Sequence, residues 1–343
     1  MAHNYEEILY SRNQVKKAGK VFVDLLNHKS VKFDVNTPDP LVVINNWRAA
    51  HSFPLQVLYM HVKKSAPQTA IVAQRLKRLY SITQKLYRFP HMSLTAMQDI
   101  GGCRVIVDSI DDIYSLIAKF KKSKMRHKLK EEYDYIKRPK EDGYRSYHIV
   151  YSYFSDRNPK YNGLFIEIQI RTHIQHLWAT AVETMDTFTG DPLKIGQGDP
   201  QNRQFFILAS RLLAIFELSG GDLDAVRASH DFEEFCMYEA DYHVLQKLKN
   251  IKEAVEFVKT TDKSNQYYLL ILNRSTGVLN ISQFSSSQLE EATERYNLLE
   301  KEKEKEQDVV LVSTTSYNAL KKAYPNYFSD ISEFIDIMER FQA

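Results

Sequence analysis

LFIEIQIR, residues 164–171, is the stretch that decides the fold. Its side chains alternate, with Ile166, Ile168 and Ile170 on one face and Glu167, Gln169 and Arg171 on the other, the two-residue period of a β-strand. The greasy face needs a packed layer behind it. The row of acid, amide and base is either a solvent-washed surface or the floor of a polar site. Two other stretches carry groups complementary to such a floor: DIGGCR at 99–104 and YIKRPKEDGYRSYH at 135–148.

Outward from that strand, the pattern alternates between strands and helices. Arg104–Val107 and His148–Phe154 read as further strands, and Asp111–Phe120 and Thr172–Thr187 as helices, so a mixed sheet with helices packed on it is the expected core. Before it, residues 5–30 read as an amphipathic helix broken at Gly19, Leu41–Val62 as a second helix after Pro38 and Pro40, and 69–88 as a third with a cationic face. The run 119–130, KFKKSKMRHKLK, reads as basic and irregular. After Phe205–Leu218, a long helix is expected over Asp231–Lys259. The tail then reads ββαβα: a hairpin of Tyr267–Asn273 and Val278–Phe284, a helix over Ser285–Glu306, a strand over Asp308–Thr314, and helix to the end. The expected division is 1–230, a connecting helix over 231–262, and a small domain over 263–343.

Bulk properties exclude several classes. A net charge of +3 from 46 basic and 43 acidic residues gives no general argument for nucleic acid, which local clustering alone could make. Two cysteines among 343 residues cannot build a disulfide framework or a cysteine-rich zinc site. No signal-type segment opens the sequence, and no run nears the roughly 20 apolar residues of a membrane span. A cytoplasmic protein is expected.

The chemistry centres on two carboxylates. If Asp99 and Glu167 converge, they can hold magnesium, which takes one or two protein carboxylates and completes its shell with phosphate oxygens. Cations flank both in sequence: Arg75, Lys77, Lys85 and Arg104 before, Lys137, Arg138, Lys140 and Arg145 after. Such a set suits a transferring polyphosphate, because phosphoryl transfer is mostly positioning and charge neutralisation. Tyr144, after Gly143, offers a ring face for a base, and His148 a bond to phosphate or a route for a proton.

RLKRLYSITQKL, DIGGCRVIV, DYIKRPKEDGYRSYH and EIQIRTHIQHLWATAVE, in this order and spacing, resemble the synthetase domain of RelA/SpoT alarmone synthetases over about residues 40–220. The resemblance implies an α+β fold with a nucleotidyltransferase-like mixed sheet flanked by helices. It also implies transfer of pyrophosphate from ATP to a 3′-hydroxyl, releasing AMP. Arg75, Lys77 and Lys85 then match ATP-phosphate contacts, and Arg104 matches the arginine stacked on adenine. Asp99 and Glu167 match magnesium ligands, with Glu167 also the general base. Tyr144 matches the tyrosine under the acceptor base, Lys140 and His148 match phosphate contacts, and Gln169 and Arg171 complete the strand motif. No HD-type hydrolase motif accompanies them.

The acceptor loop departs from the KNPKPNGYRS common in makers of guanosine tetraphosphate. Here Arg138, Glu141 and Asp142 replace Asn, Pro and Asn. Two added carboxylates would repel the 5′-diphosphate of GDP, at about 1 kcal/mol or more each where poorly solvated. The 3′-terminal adenosine of tRNA lacks that diphosphate, and 119–130 could grip an acceptor stem. The tail has no His/Cys cluster for zinc, but carries Tyr324 and Tyr327 in YPNYF. A synthetase followed by a metal-free ββαβα unit with Tyr-x-x-Tyr is similar to the CapRel family of fused toxin–antitoxins in antiphage defence. That resemblance implies a toxic enzyme acting on the tRNA CCA end, checked by the two tyrosines over the ATP site and released by a phage capsid protein. The alternative is an alarmone synthetase accepting GDP, GTP or an adenosine nucleotide.

Overall fold

The computed structural model describes residues 5–26, 38–189, 193, 198–253, 267–273, 278–302, 307–314, 317–324 and 331–343. Along the chain come α1 (Arg12–Leu26), α2 (Pro40–Ala50), α3 (Ser52–Ser65), β1 (Ile71–Leu76), α4 (Leu79–Arg88), β2 (Gly101–Val107) and α5 (Ile110–Lys122). Then follow β3 (Lys128–Asp134), β4 (Tyr147–Ser152), β5 (Phe165–Thr172), α6 (His173–Thr189), α7 (Pro200–Leu218), α8 (Leu223–Arg227), α9 (His230–Tyr242) and α10 (Val244–Glu253). The tail adds β6 (Tyr267–Asn273), β7 (Leu279–Phe284), α11 (Leu289–Glu302), β8 (Gln307–Ser313), α12 (Tyr317–Ala323) and α13 (Ser332–Gln342).

The strands form one mixed sheet in the order β3-β4-β5-β2-β1-β8-β6-β7. β5 and β2 are parallel, Gly102 opposite Glu167 and Arg104 opposite Gln169, and the other neighbours are antiparallel. The greasy face of β5 behaves as its alternation requires: Ile166, Ile168 and Ile170 are buried with Leu58 of α3, Val105 of β2 and Leu116 and Phe120 of α5. That leaves Glu167, Gln169 and Arg171 on the opposite face. Gly101 lets β2 close on β5, since a Cβ there would stand 2.6 Å from Ile166 Cδ1. Tail strands continue the sheet, with α12 covering one face through Leu320 and α11 the other through Ala292 and Tyr296. The last helix, α13, buries Phe334, Ile335, Met338 and Phe341 among residues of α6 to α10. Among the described residues no helix is long and apolar enough to cross a membrane.

Several elements differ from the sequence expectation. The third helix over 69–88 is a strand followed by a helix: Ile71 to Leu76 pair with β2, and the helix begins at Leu79. Arg75 and Lys77 therefore sit on a strand and just past its end. β-branched Ile71 and Val72 favour the extended state, and a long-range ladder outweighs the helical spacing of the cations. Gly19 does not break α1; a Cβ there would lie 3.1 Å from Leu94 Cβ, so the glycine serves close packing. The stretch 41–62 divides at His51 into α2 and α3. The helix expected over 231–259 divides at His243, whose backbone is left-handed at φ 50° and ends α9, and its last part, 254–259, lies outside the described residues. The run 119–130 is the end of α5 and the start of β3.

Candidate active site

A cavity of about 830 Å³ opens over the polar face of β5. β1 delivers Arg75 and, just past its end, Lys77; α4 delivers Lys85; the turn before β2 delivers Asp99; β2 delivers Arg104; and β4 and β5 deliver His148, Glu167, Gln169 and Arg171. The loop between β3 and β4 contributes Lys140, Asp142 and Tyr144. Gly143 fixes that loop at φ +90°, where a side chain would press on Ser210 and Trp178, and Ser210 Oγ donates to its carbonyl at 2.5 Å.

The two carboxylates are held differently. Asp99 Oδ2 takes Lys77 Nζ at 2.9 Å and Lys85 Nζ at 3.0 Å, while its Oδ1 is buried without a hydrogen-bond partner. Burial would raise its pKa, but the two ammonium groups outweigh that and hold it far below the usual carboxylate range. Glu167 lies in a polar chain: His148 Nδ1 is 3.0 Å from Oε1, Gln169 Nε2 donates to Oε2 at 2.7 Å, and Arg171 donates to Gln169 Oε1 at 3.3 Å. Burial pushes the Glu167 carboxyl up and Asp99 adds to that, yet His148 brings it below its ordinary value. The Tyr144 hydroxyl meets the other nitrogen of His148 at 2.8 Å. Burial disfavours the His148 imidazolium, but Tyr144 and Glu167 raise its pKa to about 9. Arg171 is buried, and its Nε has no hydrogen-bond partner.

Tyr324 enters the same cavity from the tail. It is 2% exposed, and its ring centroid lies 5.0 Å from the Arg104 guanidinium carbon and 5.8 Å from that of Arg75. Both distances suit a cation–π contact. Burial, with Arg171 beside it, lowers the Arg104 guanidinium to about 10, which leaves it charged at neutral pH. Tyr327 lies outside the described residues.

Of the residues singled out in the sequence, Arg138 is not brought in: it is exposed and outside the cavity wall, as is Glu141. Asp142 does line the wall, its Oδ1 accepting from the Tyr144 amide at 2.9 Å. Lys140 Nζ stands 4.7 Å from the Tyr135 ring centroid and 5.0 Å from that of Tyr144. Sequence reasoning missed Tyr135, which meets His148 edge-on at 5.2 Å, and Trp178 and Glu183 of α6, the latter 3.9 Å from Arg104. Their signal was weak because the buried, mostly apolar α6 reads as core.

Residues 74–186 match a family described as "Region found in RelA / SpoT proteins". The chain is 31% identical over 134 residues to GTP pyrophosphokinase YjbM of Bacillus subtilis, covering 38% of this chain and 63% of that protein. It is 33% identical over 111 residues to GTP pyrophosphokinase YwaC of the same organism, covering 31% of this chain and 52% of the relative. The match thus spans less than two thirds of either relative. Among solved structures, B. subtilis small alarmone synthetase 1 bound to its product pppGpp is similar at 26% identity, with 50% of this chain and 85% of that one covered and a TM-score of 0.37.

Proposed function

We propose that the chain is a pyrophosphokinase that transfers the β,γ-pyrophosphate of ATP to the 3′-hydroxyl of a purine nucleotide, with GDP or GTP the first acceptor to test. The observation that carries this reading is one cavity lined both by Asp99, gripped by two lysines, and by Glu167, oriented by His148 and Gln169. The match to the RelA / SpoT region and the names of the two relatives support it.

Each residue has a physical task. Arg75, Lys77 and Lys85 neutralise the triphosphate, and Arg104 offers a flat cation for adenine. Tyr144 offers its ring to the acceptor base, with Lys140 beside it for phosphate. Glu167, kept anionic by His148, accepts the proton of the attacking hydroxyl. The 3′-oxygen bonds to the β-phosphorus as the bond to the α-phosphate oxygen breaks, and AMP leaves with that oxygen. The orphaned Asp99 Oδ1, with Glu167 nearby, fits a magnesium ion. When bound, that ion would supply a positive charge that offsets the growing negative charge on the transferring group.

A second reading, in which the acceptor is the tRNA CCA end, is favoured by Asp142. Its carboxylate lines the cavity beside Tyr144, where it would repel a nucleotide 5′-diphosphate. Against it, two cations of the basic run are already paired, Lys121 with Glu132 and Arg126 with Asp156. In either reading Tyr324 takes the face of Arg104 that adenine would need, so the tail holds the enzyme shut. A phage capsid protein could release it only by binding the open state more tightly than the closed one.

The test gives the full chain and its Tyr324→Ala variant γ-labelled ATP with GDP, GTP or deacylated tRNA. Label on a nucleotide with AMP release supports the first reading, and label on tRNA the second. No label on any acceptor overturns both.

A further inference from the structure

A second cavity, of about 370 Å³, opens where the tail meets the N-terminal helices. Its volume falls within the range of small-ligand sites. One wall comes from Leu9 and from Val42 of α2, the other from Thr293 of α11 and Leu311 of β8, with Gln74 of β1 between them. Leu9 is 67% exposed, a large apolar side chain standing at an open cavity.

The polar groups specify what would fit. Gln74 is 4% exposed; its Nε2 is spent on Gln56 Oε1 at 2.5 Å, and its Oε1 is buried without a partner. Asn297 Oδ1, from α11, is likewise buried and unpartnered. Two carbonyl oxygens lacking donors call for a ligand that brings N–H groups. Glu6, Glu290 and Glu294 also line this cavity, Glu6 with its Oε1 accepting from Asn46 Nδ2 at 3.1 Å. Its two arginines are committed elsewhere: the Arg48 guanidinium lies 4.4 Å from the Tyr296 ring centroid with its Nε donating to the Lys77 carbonyl at 2.7 Å, and that of Arg75 faces Tyr324. Three carboxylates against these two guanidinium groups leave the lining net negative, which disfavours nucleotides and favours a cation.

We propose that this cavity binds a small organic cation, a flat apolar ring carrying an N–H for the buried amide oxygens and an ammonium for Glu290 and Glu294. Because the walls come from both sides of the β1–β8 joint, such a ligand binds the joined arrangement alone and holds the tail in place. Its consequence for catalysis rests on the tail being the lid proposed above; the site itself does not.

The experiment titrates the full chain by calorimetry with tryptamine, which has an indole N–H and an ammonium, and with indole-3-acetate, the same ring carrying an anion. Tryptamine is expected to bind, with indole-3-acetate about tenfold weaker or more. Glu290→Lys with Glu294→Lys should weaken tryptamine by about tenfold, while Glu291→Lys, on the same helix but outside the cavity wall, should change it less than about twofold. All three positions are exposed, and a melt of each variant checks its fold. No binding of tryptamine, equal binding of the anion, or equal weakening by Glu291→Lys overturns the site. Saturating tryptamine should also slow amide exchange at Gln74 and Ser313, the residues whose backbone groups face each other across the joint. Binding without that slowing overturns the link to the joint, and neither readout depends on whether the chain transfers pyrophosphate.

Discussion

Between β1 and β2 the ladder runs the length of both strands, from Ile71 opposite Ile106 to Leu76 opposite Gly101. Between β1 and β8 it engages at Gln74 opposite Ser313 and Arg75 opposite Val312. β8 is far better joined to its own tail partner, from Tyr267 opposite Ser313 to Asn273 opposite Gln307. The tail is therefore a unit with its own ladder, whose docking relies on side chains more than on backbone bonds: Arg78 with Asp308 at 2.6 Å, Arg48 on Tyr296, and Tyr324 against Arg104. Its final helix is different again, sunk in the apolar cluster of α6 to α10. The core holds the candidate site, and the tail grips it by one polar joint and one greasy one.

The largest effect should come from the core. Asp99→Ala or Glu167→Ala should lower AMP release by about 10³-fold or more in the Tyr324→Ala background, with a folded circular-dichroism spectrum retained. Residual transfer near the parent rate would move the chemistry elsewhere in the cavity. Next is the greasy joint: Phe334→Ala should cost about 3–5 kcal/mol in urea unfolding. A loss well below 1 kcal/mol would mean that α13 is an ornament on the core. Tyr324→Ala should then raise transfer by the full chain, by roughly tenfold for each 1.4 kcal/mol of closure removed. Unchanged turnover, with Glu167→Ala still inactive, would separate the tail from control. Acid tests the grip on Asp99. Its folded pKa lies well below the ordinary aspartate value of 3.8, so its stabilising contribution is complete above that value and is lost as pH falls below it. Asp99→Asn should flatten the decline of the urea midpoint over roughly pH 5 to 2. The smallest change is Arg78→Ala at the polar joint, about 1 kcal/mol or less for a partly exposed pair. A larger loss would mark that joint as the main attachment.

Much of the sheet was legible because β4, β5 and the tail hairpin carry their pattern locally, in alternation or in short β-rich runs. β1 was not, because its six residues are followed closely by the cations of α4, and a three-dimensional ladder decided what spacing alone could not. The site was legible where residues lie on or next to strands, as with Asp99, Glu167, Gln169 and Arg171. It was illegible where a helix contributes side chains from a largely buried face, as α6 does with Trp178 and Glu183. Arg138 shows the opposite error: proximity in sequence to Tyr144 placed it at the acceptor, but the loop turns it to solvent.

Arg75 belongs to both regions at once. Its backbone pairs with Val312 of the tail, its guanidinium carbon lies 5.8 Å from the Tyr324 ring centroid, and it borders both cavities. A chimera that exchanged this tail for that of a cousin would have to match the recipient at a residue that the proposed function also assigns to the nucleotide. Tails and cores should therefore be inherited as pairs, and a mismatched graft should misbehave first in ATP handling, before it shows any failure to fold.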